Sequence, residues 1–300
     1  MKKSRKWGFC LMIKAVFFGT GPVAAASLEA LAADFEIELV ITKARIRSRD
    51  AAPVEDLASE KNLPIKFANN QTELDDLVTK TSFQSKTGIV VDYGVIMSAA
   101  VINTFPLGII NSHFSKLPQW RGADPITFAI LSGQKSTAVS LMLIEPTLDT
   151  GKLIAQKSLL IAPDETTPSL TTKLIQLSNK LLQNYIPRYA AGEIQPRRQP
   201  HVNRDVSYSR KLTKADGQLD PATMTAVDCE RKVRAFLDFP RTRISFHGTE
   251  IIVTKAHIES EPSNQSVKCA DQKYLVIDEL ISPTSGKKMK TADYLNGLRF

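Results

Sequence analysis

Short β-branched runs alternate with helix-forming segments from Ala15 to Ala191, and that rhythm leaves few folds open. Ala15–Phe18 predicts a strand, and Pro22–Ala33, rich in Ala and Leu, a helix. A β-branched run at Ile37–Ile41 follows. Pro53 then opens a helix through Lys61, as proline does at a first turn. Ile65–Phe67, Gly88–Val91 and Ile109–Asn111 predict further strands, with a helix at Glu73–Lys80. Strands that alternate with helices form a doubly wound α/β domain on a mostly parallel sheet. Such sheets bind ligands at the carboxyl ends of their strands. Asp92-Tyr93 and Asn111–His113 fall at those ends.

The rhythm stops after a long helix over Thr166–Ala191, with Leu170, Leu174, Leu177 and Leu181 on one face. The next stretch holds Pro196 and Pro200 and has no apolar period, which is linker composition. One helix near Ala222–Phe236 and strands at Thr242–Phe246, Glu250–Ile258 and Tyr274–Ile277 then predict a small, OB-like β-barrel. The expected division is an extension at 1–11, an α/β domain at 12–192, a linker at 193–204 and a barrel at 205–300.

Composition narrows the partners. Hydrophobic residues at 43% and charged residues at 23% are ordinary globular values and argue against wholesale disorder. The formal charge of +8 suits an anionic partner, although Lys2, Lys3, Arg5 and Lys6 supply half of it. Cys10, Cys229 and Cys269 are widely separated, which excludes a disulfide framework and a zinc spacing and predicts reduced, inert thiols. The basic start and apolar run resemble a secretion signal, but Lys14 interrupts the run and Ile13–Phe18 makes a good first strand. A disordered extension, or a start at Met12, fits better, with a cytoplasmic chain that needs no metal and spans no membrane.

The densest polar cluster is Asn111–Gly122. Asn111 and His113, two apart on a strand, point to one side. Asp149, in the turn Leu148-Asp149-Thr150-Gly151, adds a carboxylate. An amide donor, an imidazole and a carboxylate are the set that acyl transfer to an amine requires, because the incoming amine is itself the nucleophile. Each residue alone has a plainer explanation, such as turn chemistry for Asp149. Their joint occurrence beside Ser115-Lys116-Leu117-Pro118 and Arg121-Gly122 favours chemistry.

Asn111–Gly122 resembles the N-x-H-x-S-L-L-P-x-x-R-G signature of folate-dependent formyltransferases, and Leu148–Gly151 its downstream L-D-x-G. The resemblance implies 10-formyltetrahydrofolate as formyl donor and carries the catalytic roles onto Asn111, His113 and Asp149. It also implies that Asp92, Tyr93, Gly94, Ser115, Lys116, Leu117 and Pro118 line the folate site. Within the superfamily, Phe18-Gly19-Thr20, Trp120–Ile126, Tyr208–Leu212, Arg234-Ala235-Phe236 and Gly286–Met289 resemble motifs of the methionyl-tRNA formyltransferase family. That likeness implies methionyl-tRNA as acceptor, a monomer, and RNA contacts from Lys43, Arg45, Arg47, Arg49, Arg121, Lys287 and Lys288.

The chain departs from the pattern at several points. Gly21 stands where the opening motif has proline, and Asp92 replaces a small residue before Tyr-Gly. Phe114 and Lys116 alter the loop after His113, while Ala138 and Ser140 replace a Gly and a Thr. The basic loop after Ile41 is shorter than the family's.

Three rivals compete with this reading. Gly19–Ala24 matches the G-x-G-x-x-A dinucleotide fingerprint, but the ribose-binding acid expected after the second strand is replaced by Thr42-Lys43. A formyltransferase acting on a nucleotide-linked amino sugar would share the catalytic signature; the basic loop and Lys-rich tail favour tRNA. A non-catalytic RNA-binding module would need aromatics interleaved with its basic residues, and these are missing.

Overall fold

The computed structural model describes residues 12–47, 50–200 and 205–298. The extension expected at 1–11 and the basic-loop residue Arg49 lie outside that description. In chain order the first elements are β1 (Ile13–Gly19), α1 (Pro22–Leu31), β2 (Phe35–Thr42), α2 (Pro53–Glu60) and β3 (Ile65–Phe67). There follow α3 (Gln71–Thr79), β4 (Thr87–Val91), α4 (Ala99–Asn103) and β5 (Ile109–His113). Next come β6 (Arg121–Gly122), α5 (Pro125–Leu131), β7 (Ser136–Leu143), β8 (Leu153–Leu160) and α6 (Thr167–Ala190).

Seven strands form one sheet in the order β3-β2-β1-β4-β5-β7-β8. Every pairing from β3 to β5 is parallel, and β5 pairs antiparallel with β7. The doubly wound, mostly parallel sheet expected from the alternating pattern is present. The antiparallel β7–β8 edge had no counterpart in that reading. Strand order reverses between β1 and β4, so the loops after them flank the crevice where such sheets bind ligands. Thr20 joins those loops: its N–H donates to the Asp92 carbonyl at 3.0 Å and its hydroxyl to the Tyr93 carbonyl at 3.3 Å.

Local chemistry starts the helices. Pro22, Pro53 and Pro125 occupy first-turn positions where the missing N–H costs nothing. Asn70 caps α3 by accepting from Glu73 N–H, and Glu73 reaches back to Asn69 N–H. Behind the crevice, Phe18, Ile41, Leu74, Val101 and Ile109 are fully buried. Removing each such side chain from water contributes about 1.5–3 kcal/mol, which makes the sheet a rigid support.

The remaining elements are β9 (Tyr208–Ser209), a short 3₁₀ turn at Lys214–Gly217, α7 (Ala226–Ala235), β10 (Thr242–Phe246) and β11 (Thr249–Glu259). They end with β12 (Ser266–Lys268), β13 (Tyr274–Ile281), β14 (Lys288–Lys290) and α8 (Thr291–Gly297). Strands β10-β11-β13-β12 form an antiparallel sheet in which β14 also pairs with β13. This is the half-barrel of an OB-like domain. Cys229 and Val233 of α7 pack in one core with Phe246, Ile251, Leu275 and Ile277. Cys229 and Cys269 are free and buried, and burial pushes the Cys229 thiol up to about 12.

The chain falls into two compact units that interleave in sequence. One holds the described residues up to Pro118, Val139–Lys157, and Leu174 to Pro200. The other holds Gln119–Ala138, Ser158–Lys173 and the described residues from Asp205 onward. Within the second unit β6 pairs in parallel with β9, so Arg121 lies beside Tyr208. Within the first, the polar stretch read as a linker is tied down. Leu153 and Arg197 exchange two backbone hydrogen bonds of 2.7 and 2.9 Å, and Gln199 is buried. Among the described residues no helix is long and apolar enough to cross a membrane.

Candidate active site

Strand β5 carries Asn111 and His113 in the middle of the sheet. Val90 of β4 pairs with Asn111 on one side, while Met142 and Ser140 of β7 pair with Asn111 and His113 on the other. Ser112 points to the opposite face, where its hydroxyl lies 2.7 Å from that of Ser178 on α6. The alternation therefore directs Asn111 and His113 away from α6 on a strand held along both edges.

Asp149 comes to the same place from a turn between β7 and β8. Its Oδ2 lies 3.8 Å from His113 Nδ1, and the two side chains are only 12% and 6% exposed. At that distance the pair is an ion-pair contact, longer than a hydrogen bond. A carboxylate beside Nδ1 favours the tautomer with the proton there and leaves Nε2 to act on a ligand. Asp149 has φ 50°, in the left-handed region, so it sits in a tight turn. Gly151 makes that turn possible: a Cβ on it would lie 1.7 Å from the Leu143 carbonyl oxygen. No other residue fits.

The loop after His113 is fastened from below. Ser140 Oγ donates to the Ser115 carbonyl at 2.6 Å and accepts from Leu117 N–H at 3.3 Å. Gln156 Nε2 donates to the Leu117 carbonyl at 3.0 Å and to Ser140 Oγ at 2.9 Å. Ser115, Leu117 and Pro118 are buried, whereas Lys116 is exposed. The serine at 140, a departure from the family's threonine, thus supplies the hydroxyl that shapes this loop.

The group at the end of β4 divides in two. Tyr93 turns its ring into the core, 5.9 Å from Phe18, and its hydroxyl donates to the Ala68 carbonyl at 2.9 Å. Burial, followed by the charge of Glu73, pushes its phenol well above the ordinary range. Asp92 and Gly94 are exposed. The strand end therefore exposes Asp92 and Gly94 and turns the tyrosine hydroxyl inward.

The basic residues have varied surroundings. Lys43 Nζ donates to the Gly94 carbonyl at 3.1 Å. Arg45 is held by Glu55 at 3.1 Å and Asp56 at 2.6 Å. Arg47 is exposed. In the second unit, Lys287 is exposed and Lys288 pairs with Glu279 at 2.5 Å. Sequence reasoning missed Ser140, Gln156 and Gln199 as parts of the site. Their partners lie 16 to 50 positions away, so no local pattern marks them.

An amide, an imidazole and a carboxylate on one crevice, with no nucleophile required of the protein, describe an acyl-transfer site of the formyltransferase type. The formyl transferase family matches residues 13–186, and the C-terminal domain of formyl transferases matches 211–299. The chain belongs to the formyl transferase family. Among its relatives, the methionyl-tRNA formyltransferase of Chloroflexus aurantiacus is 34% identical over 254 residues, spanning 83% of this chain and 81% of that protein. The methionyl-tRNA formyltransferase of Myxococcus xanthus is 31% identical over 298 residues, 94% of each chain. The N-formyltransferase from Helicobacter canadensis, solved with folinic acid and dTDP-3-aminofucose, superposes with a TM-score of 0.68. It shares 17% identity over 89% of this chain and 99% of that one, a likeness of fold alone.

Proposed function

We propose that this chain transfers the formyl group of 10-formyltetrahydrofolate to the α-amino group of methionyl-tRNA, as a cytoplasmic monomer. One observation carries the reading: the His113–Asp149 contact, with Asn111 on the same strand face, in a chain that matches methionyl-tRNA formyltransferases through both of its domains. The sugar-acting alternative draws support from fold neighbours at 17% and 19% identity, a likeness of fold alone.

The crevice fits a folate by the chemistry of its donor set. Asp92 and the 93–94 backbone offer acceptors and donors to a flat, nitrogen-rich ring, and the fastened 115–118 loop offers a wall. When bound, the folate supplies an activated formyl carbonyl. Asn111 donates its amide N–H to the carbonyl oxygen as charge grows there. His113 contributes a second donor from Nε2 when protonated, with Asp149 beside its Nδ1. Asp149 takes up, through a water, the proton that the attacking amine must lose. Arg47 and Lys287 extend toward solvent and are the contacts we assign to tRNA phosphates, with Lys43, Arg45, Arg49, Arg121 and Lys288 adding to the field.

The test is direct. Purified protein, methionyl-tRNA and 10-formyltetrahydrofolate should yield formylmethionyl-tRNA. Formylation of a nucleotide-linked amino sugar in place of the tRNA would transfer the assignment to the other substrate class.

A further inference from the structure

We propose that Gln199 is a positioning residue for formyl transfer, holding the Asp149 turn so that its carboxylate faces His113; this rests on the reading of Asp149 and His113 as the working pair. Gln199 lies beyond the long helix in a stretch of linker composition, yet it is only 5% exposed. Its Nε2 donates to the Asp149 carbonyl at 2.8 Å and to the Gly151 carbonyl at 3.0 Å. A single amide nitrogen has two hydrogens, and here each serves one carbonyl of the same turn. The backbone under Gln199 is anchored two residues earlier, where Arg197 and Leu153 exchange their pair of hydrogen bonds.

The geometry shows why this turn needs a clamp. Asp149 occupies the left-handed region, which Asp tolerates in turns and which fixed partners hold in place. Gly151 packs directly on the Leu143 carbonyl, and its own carbonyl accepts from Gln199. Buried carbonyls require donors, and Gln199 provides both from one rigid point. The His113–Asp149 separation of 3.8 Å is already beyond hydrogen-bond length. A slight relaxation of the turn would carry the carboxylate out of range of the imidazole. Gln199 touches no reacting atom and acts through Asp149.

A double-mutant cycle tests the proposal. Gln199→Met keeps length and burial but removes both donors. With substrates saturating, kcat should fall about ten- to a hundredfold, as small misplacements at active sites do, with the KM values for folate and tRNA little changed. In an Asp149→Asn background the same substitution should cause almost no further loss, because its route of action is gone. Equal losses in both backgrounds, or a wild-type kcat for Gln199→Met, would overturn the positioning role while leaving the catalytic pair intact. Normal turnover by Asp149→Asn would overturn the pair itself, and the proposal with it. Should Gln199→Met fail to fold, Gln199→Asn, which keeps a neutral amide but is one methylene too short to reach both carbonyls, carries the same cycle with the same outcomes.

Discussion

The Asp92 carboxylate fills the space into which a side chain on residue 21 would project: a Cβ built on Gly21 would lie 2.6 Å from Asp92 Oδ2. Both residues depart from the family pattern, which has proline at the first position and a small residue at the second. The two departures touch because the loops after β1 and β4 meet, as the Thr20 N–H to Asp92 carbonyl bond also shows. The same two loops carry the strand-end backbone assigned to the folate.

This coupling makes the first prediction. Gly21→Ala alone should displace the Asp92 carboxylate and raise the KM for 10-formyltetrahydrofolate. Adding Asp92→Ala should remove the clash, so the double variant should bind folate better than the sum of the single effects implies. Strictly additive KM changes, measured at fixed tRNA, would show that the two positions do not interact.

Asn111→Ala, His113→Ala and Asp149→Ala should each cut turnover severely in a folded protein. Loss of an oxyanion donor such as Asn111 typically costs about a hundredfold to a thousandfold. Because His113 and Asp149 touch, their double variant should lose much less than the product of the single losses. Single-turnover kinetics with circular dichroism as a folding control measure this, and near-normal turnover in folded Asp149→Ala would end the assignment.

Gly151→Ala tests the turn. The Leu143 carbonyl that a Cβ would strike belongs to the backbone of β7 and cannot swing aside. Overpacking of this kind costs about 1–3 kcal/mol, and the displaced turn should lower turnover as well. Urea denaturation together with the formylation assay would reveal both, and unchanged stability would mean that the β7–β8 connection relaxes freely.

For RNA, the surroundings of the basic loop separate its members. Arg47 is exposed, whereas Arg45 is already shared by two carboxylates and Lys43 is committed to Gly94. Arg47→Ala should raise the KM for methionyl-tRNA and reduce its logarithmic salt slope by about one. Lys43→Ala should affect the folate KM more than Arg47→Ala does. A tRNA salt slope that ignores Arg47 would return that residue to the solvated surface.

Acid stability provides the last prediction. Arg210 holds the Asp216 carboxyl well below the usual range through paired hydrogen bonds; burial opposes this, and the Thr213 N–H and hydroxyl add to it. The folded carboxylate therefore takes up its proton at lower pH than the unfolded one. Its stabilisation is complete above the unfolded value, about 4, and is lost as pH falls through the folded one. Asp216→Asn should lower the melting temperature at neutral pH, and the gap from wild type should close in acid. A gap that stays constant down to the lowest pH would exclude the linkage.

Much of this protein was legible without coordinates. The strand–helix alternation is a local property with a short period, so β1 to β5 and the helices α1, α2 and α3 could be read within a few residues of their ends, whereas the five-residue α4 is too short to show a period. Asn111 and His113 were readable for the same reason, since two residues on one strand share a face wherever the strand goes. The sequence alone could not place Gln199 on the Asp149 turn, Lys43 on Gly94 or Asp92 against Gly21, because each contact joins segments about 50 to 70 positions apart. Nor could it turn the Tyr93 ring into the core, since a tyrosine at a strand end is compatible with either direction. Chain folding decided those matters through close packing: residues distant in sequence had to share one volume, and every buried carbonyl in it had to find a donor.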